Sequence, residues 1–306
     1  MCKKLILGIP TYNRQDKCFE LIKKLSSIKN IFNYVEIVVV DNSDINIGKL
    51  GTLIQKNFSL RNTTYINNKK NLGLDNSILS LINYAKKKLS KIWFISDDDE
   101  LYFDKIIDFT KFINNSKSSV VLCGFQYLSN NFKININQKI NFYKINKFNA
   151  YKRASFLPTV ALDPKNLEVS SLKHLCGTNY IHIAVINSLI SSYNQLEVYP
   201  HFVGKQSQNK VLAFSIKDTF IEGYTKCLKW RKILNEKEIK YETAKRIRGY
   251  LTAILKNIVK INKKEFSLIQ VTKIGISIYK FLGLIELIKF VPIMLLLFIK
   301  AFVRVY

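Results

Sequence analysis

Residues 91–101 read Lys-Ile-Trp-Phe-Ile-Ser-Asp-Asp-Asp-Glu-Leu, so that four acidic residues follow directly after a short apolar run. The apolar run is typical of a buried β-strand. In open α/β sheets, ligands bind just outside the carboxyl ends of strands, and Asp97–Glu100 fall there. A hard divalent cation would relieve the repulsion among these carboxylates. The stretch therefore predicts a strand leading into a metal site; the alternative is the acidic N-terminus of a helix through Ile106 and Phe109.

The sequence before this stretch alternates between strand-like and helix-like segments. Helical spacing predicts helices over Asp16–Leu25 and residues 78–89, the second capped by Asp75 or Asn76. Four more apolar runs predict strands, namely residues 5–9, 35–40, 63–66 and 119–125. The first is closed by Pro10 and should be central, and the second should be covered on both faces. This alternation predicts an α/β fold: a mostly parallel, Rossmann-like sheet with helices on both faces.

Composition and charge limit the class of protein. A chain of 306 residues can bury a sizeable core. The 48 Lys and Arg against 22 Asp and Glu give a formal net charge of +26, so nucleic acid, anionic lipid and phosphorylated substrates are candidate partners. The excess is densest at the end, where residues 201–306 hold 21 basic and 7 acidic side chains. Five cysteines without a Cys-x-x-Cys pair, and a start without a signal-peptide pattern, favour a reducing cytoplasm.

Four motifs, in this order and spacing, resemble those of family 2 glycosyltransferases, which have the GT-A fold. They are Ile9-Pro10-Thr11-Tyr12-Asn13-Arg14, Val38-Val39-Val40-Asp41-Asn42-Ser43, Asn71-Leu72-Gly73 and Ser96-Asp97-Asp98-Asp99-Glu100-Leu101. The last motif resembles the abequosyltransferase-like branch, which builds bacterial surface polysaccharides. The resemblance covers residues 4–125 and extends weakly to residue 230 or so.

The resemblance implies a nucleotide-sugar donor bound at the loops that follow the first strands. The residues that would hold its base and ribose are Pro10, Thr11, Tyr12, Asn13, Arg14 and Asp41. A carboxylate such as that of Asp41 accepts hydrogen bonds from ribose hydroxyls or a base N–H. The floor beneath the nucleotide would be lined by Asn71, Gly73, Asp75 and Asn76. Without a ligand, Asp41 is a polar strand end, Tyr12 a packed aromatic and Gly73 a turn glycine.

By the same resemblance, Asp97 and Asp99 would hold Mn²⁺ or Mg²⁺. The cation would bridge them to the pyrophosphate and neutralise charge as the nucleoside diphosphate leaves. The common family form is Asp-x-Asp-Asp, and Ser96 stands where its first acid usually does. The ligand pair can therefore be Asp97 with Asp99 or Asp98 with Asp99, and Asp98 can instead touch the donor sugar.

The transfer also needs a general base to take the proton of the acceptor hydroxyl. In inverting family members this base is an acid of a Glu-Asp pair, usually after a glycine-containing segment comparable to residues 177–179. This sequence has no Glu-Asp pair. Glu197 and His201 lie at a suitable distance downstream and are the catalytic candidates, with Asp163 and Glu168 upstream. Histidine titrates near neutral pH, but His201 can equally complete a metal shell or be structural. The base and the stereochemical outcome stay open.

The sequence changes character from about Glu236. Residues 247–261 carry apolar side chains at helical spacing with basic ones opposite, which predicts an amphipathic helix. The longest late apolar run, Phe290–Ile299, is half of the ~20 residues that a membrane span needs. We therefore predict a GT-A domain over residues 1–230 and a basic amphipathic helical region over residues 231–306 that lies on a membrane surface. The alternative is an ordinary pair of core-packing or oligomer-forming helices.

Three functions are compatible with the sequence. The first, which we expect, is a peripheral enzyme on the cytoplasmic face of the cell membrane, moving a hexosyl or deoxyhexosyl group with inversion. Its donor would be a UDP-, CDP-, GDP- or dTDP-sugar, and its acceptor a saccharide or lipid-linked saccharide. The second is a nucleic-acid-binding protein, disfavoured because the charge sits on apolar-striped helices without a recognised DNA- or RNA-binding pattern. The third is a nucleotide-binding module without catalysis, which the missing Glu-Asp pair allows.

Overall fold

A computed structural model of the chain describes residues 4–43, 49–57, 62–126, 139–141, 147–193, 195–205, 211–212, 216–255, 260–261 and 268–303. The chain divides into two compact units. The first comprises Met1–Gly177 with Ile181–Ser207, and the second comprises Thr178–Tyr180 with Gln208–Tyr306. The membrane-associating region predicted after residue 230 remains a prediction.

A single sheet carries the first unit. Its strands are β1 (Leu5–Thr11), β2 (Val35–Asp41), β3 (Thr63–Asn67), β4 (Ile92–Phe94), β5 (Glu100–Leu101), β6 (Val120–Gln126), β7 (Lys139–Asn141), β8 (Val160–Leu162) and β9 (Gln195–Lys205). Their order is β3-β2-β1-β4-β8-β6-β9-β5, with β7 also paired to β9. The strands β3, β2, β1 and β4 are parallel, and β8 is antiparallel to both of its neighbours. The predicted α/β class and the central place of β1 are confirmed.

Helices cover both faces of this sheet. They are α1 (Gln15–Ser26), α2 (Lys49–Asn57), α3 (Leu74–Lys87), α4 (Phe103–Asn115), α5 (Lys147–Ala154) and α6 (Ile181–Tyr193). Helices α1, α2 and α4 share one core with Leu7, Ile37 and Trp93, whereas Leu81 of α3 reaches the opposite face at Gly8. The Trp93 ring meets Phe109 edge-on at 4.9 Å. Truncating so buried a tryptophan would cost about 3–5 kcal/mol.

Two sequence-based boundaries of this unit need correction. Strand β1 continues through Pro10 to Thr11 instead of ending at Ile9. Pro10 is tolerated because β4 pairs with β1 only as far as Phe94, opposite Gly8, so that beyond it β1 is bordered by β2 alone. The alternative of an acidic helix N-terminus at Asp97–Glu100 is wrong, since α4 begins at Phe103.

The second unit is mainly helical. It contains β10 (Val211–Leu212), a π-helical segment (Ile216–Gly223), α7 (Tyr224–Lys229), α8 (Glu236–Leu255), β11 (Lys260–Ile261), α9 (Leu268–Leu282) and α10 (Leu284–Val303). The helix predicted through Ile261 does not include Lys260 and Ile261, which pair with β10; α8 is described as far as Leu255, and residues 256–259 lie outside the described residues. Within the ranges given above, none of the helices combines the length and hydropathy that a bilayer crossing requires.

Candidate functional site

The acidic segment leaves the sheet at the carboxyl end of β4. The amide N–H of Ile95 still donates to the carbonyl of Gly8 at 3.0 Å, and the chain then turns away. The side chains of Asp97 and Asp99 are buried, whereas Glu100 is exposed and forms an ion pair with Lys205 at 3.0 Å. Burying the charged carboxylates of Asp97 and Asp99 costs free energy unless they are paired, so the groups around them decide what the site can bind.

Thr11, at the end of β1, contacts Asp97, and Arg14, in the loop that follows, contacts both Asp97 and Asp98. The hydroxyl of Thr11 donates to Oδ2 of Asp97 at 2.7 Å. The Arg14 guanidinium lies between two acids, with Nη2 2.8 Å from Oδ1 of Asp97 and Nη1 2.8 Å from Oδ2 of Asp98. The Asp98 carboxylate also accepts from Ser96 Oγ. The structure thus brings together the loop Pro10–Arg14 and the acidic segment, as the sequence predicted for a common edge.

Burial dominates the electrostatics of Asp97. Desolvation raises the pKa of its carboxyl from the ordinary 3.8 to about 6, although the Arg14 charge and the Thr11 hydrogen bond lower it. One guanidinium shared by two carboxylates therefore leaves negative charge under-compensated. A further cation at this position would favour the ionised form of Asp97.

The carboxylate of Asp41 lies at the next strand end and is surrounded by donors. Its Oδ1 accepts from the amide and the hydroxyl of Ser43 at 2.8 and 2.5 Å. Its Oδ2 accepts from Tyr65 at 2.9 Å and from Gln15 at 3.2 Å. Burial and this contact raise the pKa of the Tyr65 hydroxyl. Asp41 is a fixed, buried acceptor and more than a polar strand end.

The loop between these acids is also tied down. The amide of Asn13, a residue with φ of 51°, donates to Ser43 Oγ at 2.8 Å. Tyr12 is exposed, so an aromatic face is open to solvent between β1 and α1, available to a planar ligand. The packed-aromatic alternative for Tyr12 is not what the structure shows.

The residues expected beneath a nucleotide divide into two groups. Asn71 accepts from the amide of Gly73 at 2.9 Å, and Gly73, with φ of 81°, makes the turn that precedes α3. Asp75 is buried and its Oδ1 accepts from the amide of Ile181 at 3.2 Å, at the start of α6. Asn76 donates to the carbonyl of Leu72 at 2.6 Å. Asp75 and Asn76 thus have structural contacts that explain them without a ligand.

The two catalytic candidates lie on β9 in different settings. Glu197 is buried near the start of the strand, level with Val121 of β6 and Lys139 of β7. His201 is exposed, and its ring meets Tyr199 at 5.3 Å. Beyond it, Gly204 and Lys205 pair with Leu101 and Glu100, at the end of the acidic segment. Of the two, only His201 lies toward the end of β9 that reaches the acids.

The carboxylates at this edge are the type of ligand that a hard divalent cation prefers, but few of them lie together. In the part of the chain that the structure describes, no three His, Cys, Asp or Glu side chains cluster as a metal site. Mg²⁺ in phosphate-transfer sites is commonly held by one or two carboxylates plus substrate phosphates. Asp97 and Asp99 supply two such carboxylates, both buried just beyond the carboxyl end of β4. The residues present are therefore compatible with the group that the resemblance implies.

Sequence reasoning missed the donors around Asp41. Tyr65 lies on β3, and β2 pairs with β3 so that Asp41 is level with Asn67. The Tyr65 ring reaches Asp41 by passing over Gly51 of α2, where an added Cβ would lie 2.8 Å from the ring. Tyr65 could have been predicted from the order of the strands, because a residue on β3 next to β2 lies close to the end of β2. Nothing in the sequence around Gln15, at the start of α1, predicts its contact with Asp41.

Comparisons with known proteins agree with this architecture. A family model described as "Glycosyl transferase family 2" matches residues 7–164. The structure of S. aureus TarS 1-349 in complex with UDP-GlcNAc is similar with a TM-score of 0.58 and 14% identity, over 91% of this chain and 81% of that one. The mannosyltransferase PcManGT from Pyrobaculum calidifontis, in complex with GDP-Man and Mn²⁺, is similar with a TM-score of 0.51 and 12% identity, over 98% and 86%.

These structural similarities show the GT-A fold that the motifs predicted. A comparison with curated protein sequences found no match, so the abequosyltransferase-like branch remains a prediction. The family itself does not depend on these distant structures, because the matching model covers more than half of the 306 residues. The chain belongs to glycosyl transferase family 2.

Proposed function

We propose that this glycosyltransferase moves a sugar from a nucleotide-sugar donor to a saccharide acceptor. The observation that carries the proposal is the juxtaposition of Asp97 and Thr11, 2.7 Å apart at the carboxyl edge of the sheet, beside the fixed carboxylate of Asp41. In a nucleotide-sugar donor the diphosphate is next to the nucleoside, so one donor can reach both the acidic segment and Asp41. Solved structures of the same fold contain UDP-GlcNAc or GDP-Man, which supports a donor of this class.

The nucleoside end would be recognised by groups that are already in place. Asp41 would accept from ribose hydroxyls or a base N–H in exchange for the weaker of its present donors, Gln15 at 3.2 Å. The exposed ring of Tyr12 offers a surface for the base. The remaining donors, Ser43 and Tyr65, would keep the Asp41 carboxylate oriented while the nucleotide binds.

The diphosphate end would be held by Asp97 and Asp99 through Mn²⁺ or Mg²⁺. When bound, such a cation supplies Lewis-acid stabilisation of the departing diphosphate. Arg14 pairs with both Asp97 and Asp98 and is partly exposed, so it can turn toward phosphate oxygens without leaving the site. Ser96 and Arg14 orient Asp98, which leaves that carboxylate placed to accept from donor-sugar hydroxyls.

In the proposed reaction the acceptor hydroxyl oxygen attacks the anomeric carbon from the side opposite the diphosphate. The bond between that carbon and the diphosphate oxygen breaks, the configuration inverts, and the hydroxyl proton passes to a base. We assign the base to a ring nitrogen of His201, because His201 is exposed whereas Glu197 is buried at the other part of the strand. His201→Gln should then lower the rate without weakening donor binding, while Glu197→Gln should act through stability.

The acceptor is proposed to be lipid-linked, on the cytoplasmic face of the cell membrane, as in surface polysaccharide synthesis. The support is the net charge of +26 and its concentration in the last third of the chain, since anionic leaflets attract basic segments. A hexosyl or deoxyhexosyl group is the proposed cargo.

A donor-hydrolysis assay tests the proposal without a known acceptor. Purified protein would be incubated with a panel of UDP-, CDP-, GDP- and dTDP-sugars, with Mn²⁺, Mg²⁺ or EDTA. Release of one nucleoside diphosphate that EDTA and Asp97→Asn both suppress is the expected result. Turnover of none of the donors, together with salt-sensitive binding of oligonucleotides, would favour the nucleic-acid alternative instead.

A further inference from the structure

One face of helix α10 exposes large apolar side chains in an uninterrupted row. We call this row the α10 outer face; each of its side chains is 51–60% exposed, and its members are Leu284, Ile288, Val291, Leu295, Leu296 and Ile299. The spacing of three and four residues puts most of them on one side of the helix. Single exposed apolar residues are ordinary, but a contiguous row of this size marks an interaction surface.

The row is not the core-packing side of α10. Phe290, Met294 and Leu297 are the buried residues of this helix, and they point the other way. The ring of Phe290 lies under the Arg248 guanidinium of α8, at 5.3 Å. Met294 lies beside Gly275 of α9. Helix α10 is therefore apolar on two sides, and its own unit covers only one of them.

The α10 sequence contains Glu286, Lys289 and Lys300, and the charged side chains that the structure describes on α9 and α10 are all lysines. These lysines are Lys273 and Lys280 on α9 and Lys289 on α10. All three side chains are exposed. Tyr279 and Ile276 of α9 add further exposed apolar surface beside the lysines. Lysines beside apolar residues suit an anionic interface, where the stems lie along the apolar layer and the ammonium groups meet lipid phosphates.

We propose that the α10 outer face inserts into the headgroup region of an anionic bilayer, with α10 lying in the plane of the membrane. This deepens the membrane part of the proposed function by naming the surface that makes the contact. A second copy of the chain is a poorer occupant, because pairing two such faces would bring the lysines of both copies together. Helix α10 also lacks the properties of a spanning helix among the residues described, which leaves an in-plane arrangement.

Vesicle sedimentation of the full chain tests the proposal. The vesicles would be phosphatidylcholine alone or phosphatidylcholine with about 30 mol % phosphatidylglycerol. We expect the wild type to bind the anionic vesicles and the double variant Ile288→Ser/Leu295→Ser to partition at least about tenfold less, because two large apolar side chains no longer leave water when the protein binds. Lys280→Ser/Lys289→Ser should lose several-fold, and only on anionic vesicles.

The matched control is Tyr241→Ser, which removes an equally exposed ring, 53% accessible, from α8. It should sediment as the wild type does. Equal sedimentation of wild type and Ile288→Ser/Leu295→Ser would overturn the proposal. So would a concentration-dependent dimer, detected by analytical ultracentrifugation, that the double variant abolishes, because the occupant would then be a second copy.

Donor hydrolysis in vesicle-free buffer separates this inference from the proposed function. The double variant should keep wild-type hydrolysis, which also shows that it folds. A protein that binds vesicles but hydrolyses no donor would keep the membrane surface and lose the enzymatic proposal. A protein that hydrolyses a donor but does not bind vesicles would support the enzymatic proposal and overturn the membrane surface.

Discussion

The acidic edge of the sheet and the outer face of α10 depart from ordinary folding in opposite ways. At the edge, the charged side chains of Asp97 and Asp41 are buried, with 5% and 1% of their surface exposed. On α10, leucine and isoleucine side chains are more than half exposed. Buried charge and exposed apolar surface both reduce the net stability of a fold.

The two regions differ in what offsets their unfavourable burial or exposure. The carboxylates of Asp97 and Asp41 have partners within the chain, namely Thr11, Arg14, Ser43 and Tyr65, so their positions are fixed by the fold itself. The α10 outer face is a continuous apolar row left to solvent, and its compensation has to come from outside. The comparison suggests that the first region serves chemistry and the second serves placement of the enzyme.

The largest effect should follow from removing a proposed metal ligand. Asp99→Ala should lower transfer or donor hydrolysis by on the order of 10²–10³-fold, the typical loss when one electrostatic stabiliser of a transition state is deleted. The fold should persist, as checked by circular dichroism. Asp104→Ala, an exposed acid in the first turn of α4, is the control and should retain activity. Full activity of Asp99→Ala would remove the metal assignment.

Asp97→Asn should separate stability from activity. Burial raises the pKa of Asp97 from 3.8 to about 6, against the opposing Arg14. The folded protein therefore holds this proton more tightly than the unfolded chain does, so stability of the metal-free fold falls as the pH rises from about 4 to about 6 and stays lower above it. At about pH 8 the inactive variant should be more stable than the wild type by up to roughly 3 kcal/mol.

Urea unfolding in EDTA at several pH values measures this difference. The stability advantage of Asp97→Asn should shrink as the pH falls from about 6 toward 4, because the wild-type carboxyl then becomes neutral as well. A variant that is less stable than the wild type at every pH would show that the ion pair with Arg14 outweighs the burial of charge.

A smaller effect is expected for Arg14→Gln, which removes the cation shared by Asp97 and Asp98. The side chain is 39% exposed, so the loss of stability in EDTA should be only about 1–2 kcal/mol. Added Mn²⁺ should then raise the melting temperature of the variant more than that of the wild type, because the ion takes over the neutralisation. Lys24→Gln in the last turn of α1 is the control. Equal Mn²⁺ shifts would argue that Arg14 and the cation do not compete.

The smallest effect should come from Tyr65→Phe, which removes one of four hydrogen bonds to Asp41. We expect a loss of about 0.5–1.5 kcal/mol in stability or in donor affinity. Thermal unfolding and donor titration would measure the two quantities. Tyr34→Phe, a half-buried tyrosine beside Lys111, serves as the matched control. An unchanged donor affinity together with unchanged stability would mean that Ser43 and Gln15 suffice to hold the carboxylate.

Much of the fold followed from local pattern. The runs that became β1, β2 and β4 are apolar enough to require burial, and their polar ends predicted which edge would carry the site. The exposed face of α10 could not be read in the same way, because apolar residues surround the helix and the sequence does not show which side packs. The buried state of Phe290 and the exposed state of Leu295 depend on where α8 and α9 lie.

The site was predictable where a residue stands at the end of a strand or shortly after it. Thr11 and Asp41 end β1 and β2, Asp97 lies three residues after β4, and parallel register brings Thr11 level with Asp41. Asp75 is expected at the site through the resemblance, and Glu197 through its type and its distance along the chain, and none of these fixes where a side chain points. Asp75 accepts from the amide of Ile181, more than a hundred residues away, which local sequence cannot reveal.

The central claim is that Asp97 and Asp99 bind a nucleoside diphosphate through a divalent cation. Isothermal titration calorimetry of UDP, CDP, GDP and dTDP, each with Mn²⁺ or with EDTA, tests it most directly on the wild type and Asp97→Asn/Asp99→Asn. We predict that one nucleotide binds the wild type at least about tenfold more tightly with Mn²⁺, a gain of about 1.4 kcal/mol, and that the double variant loses this gain. Binding that is equal with and without Mn²⁺ in both proteins, or no binding at all, would contradict the account.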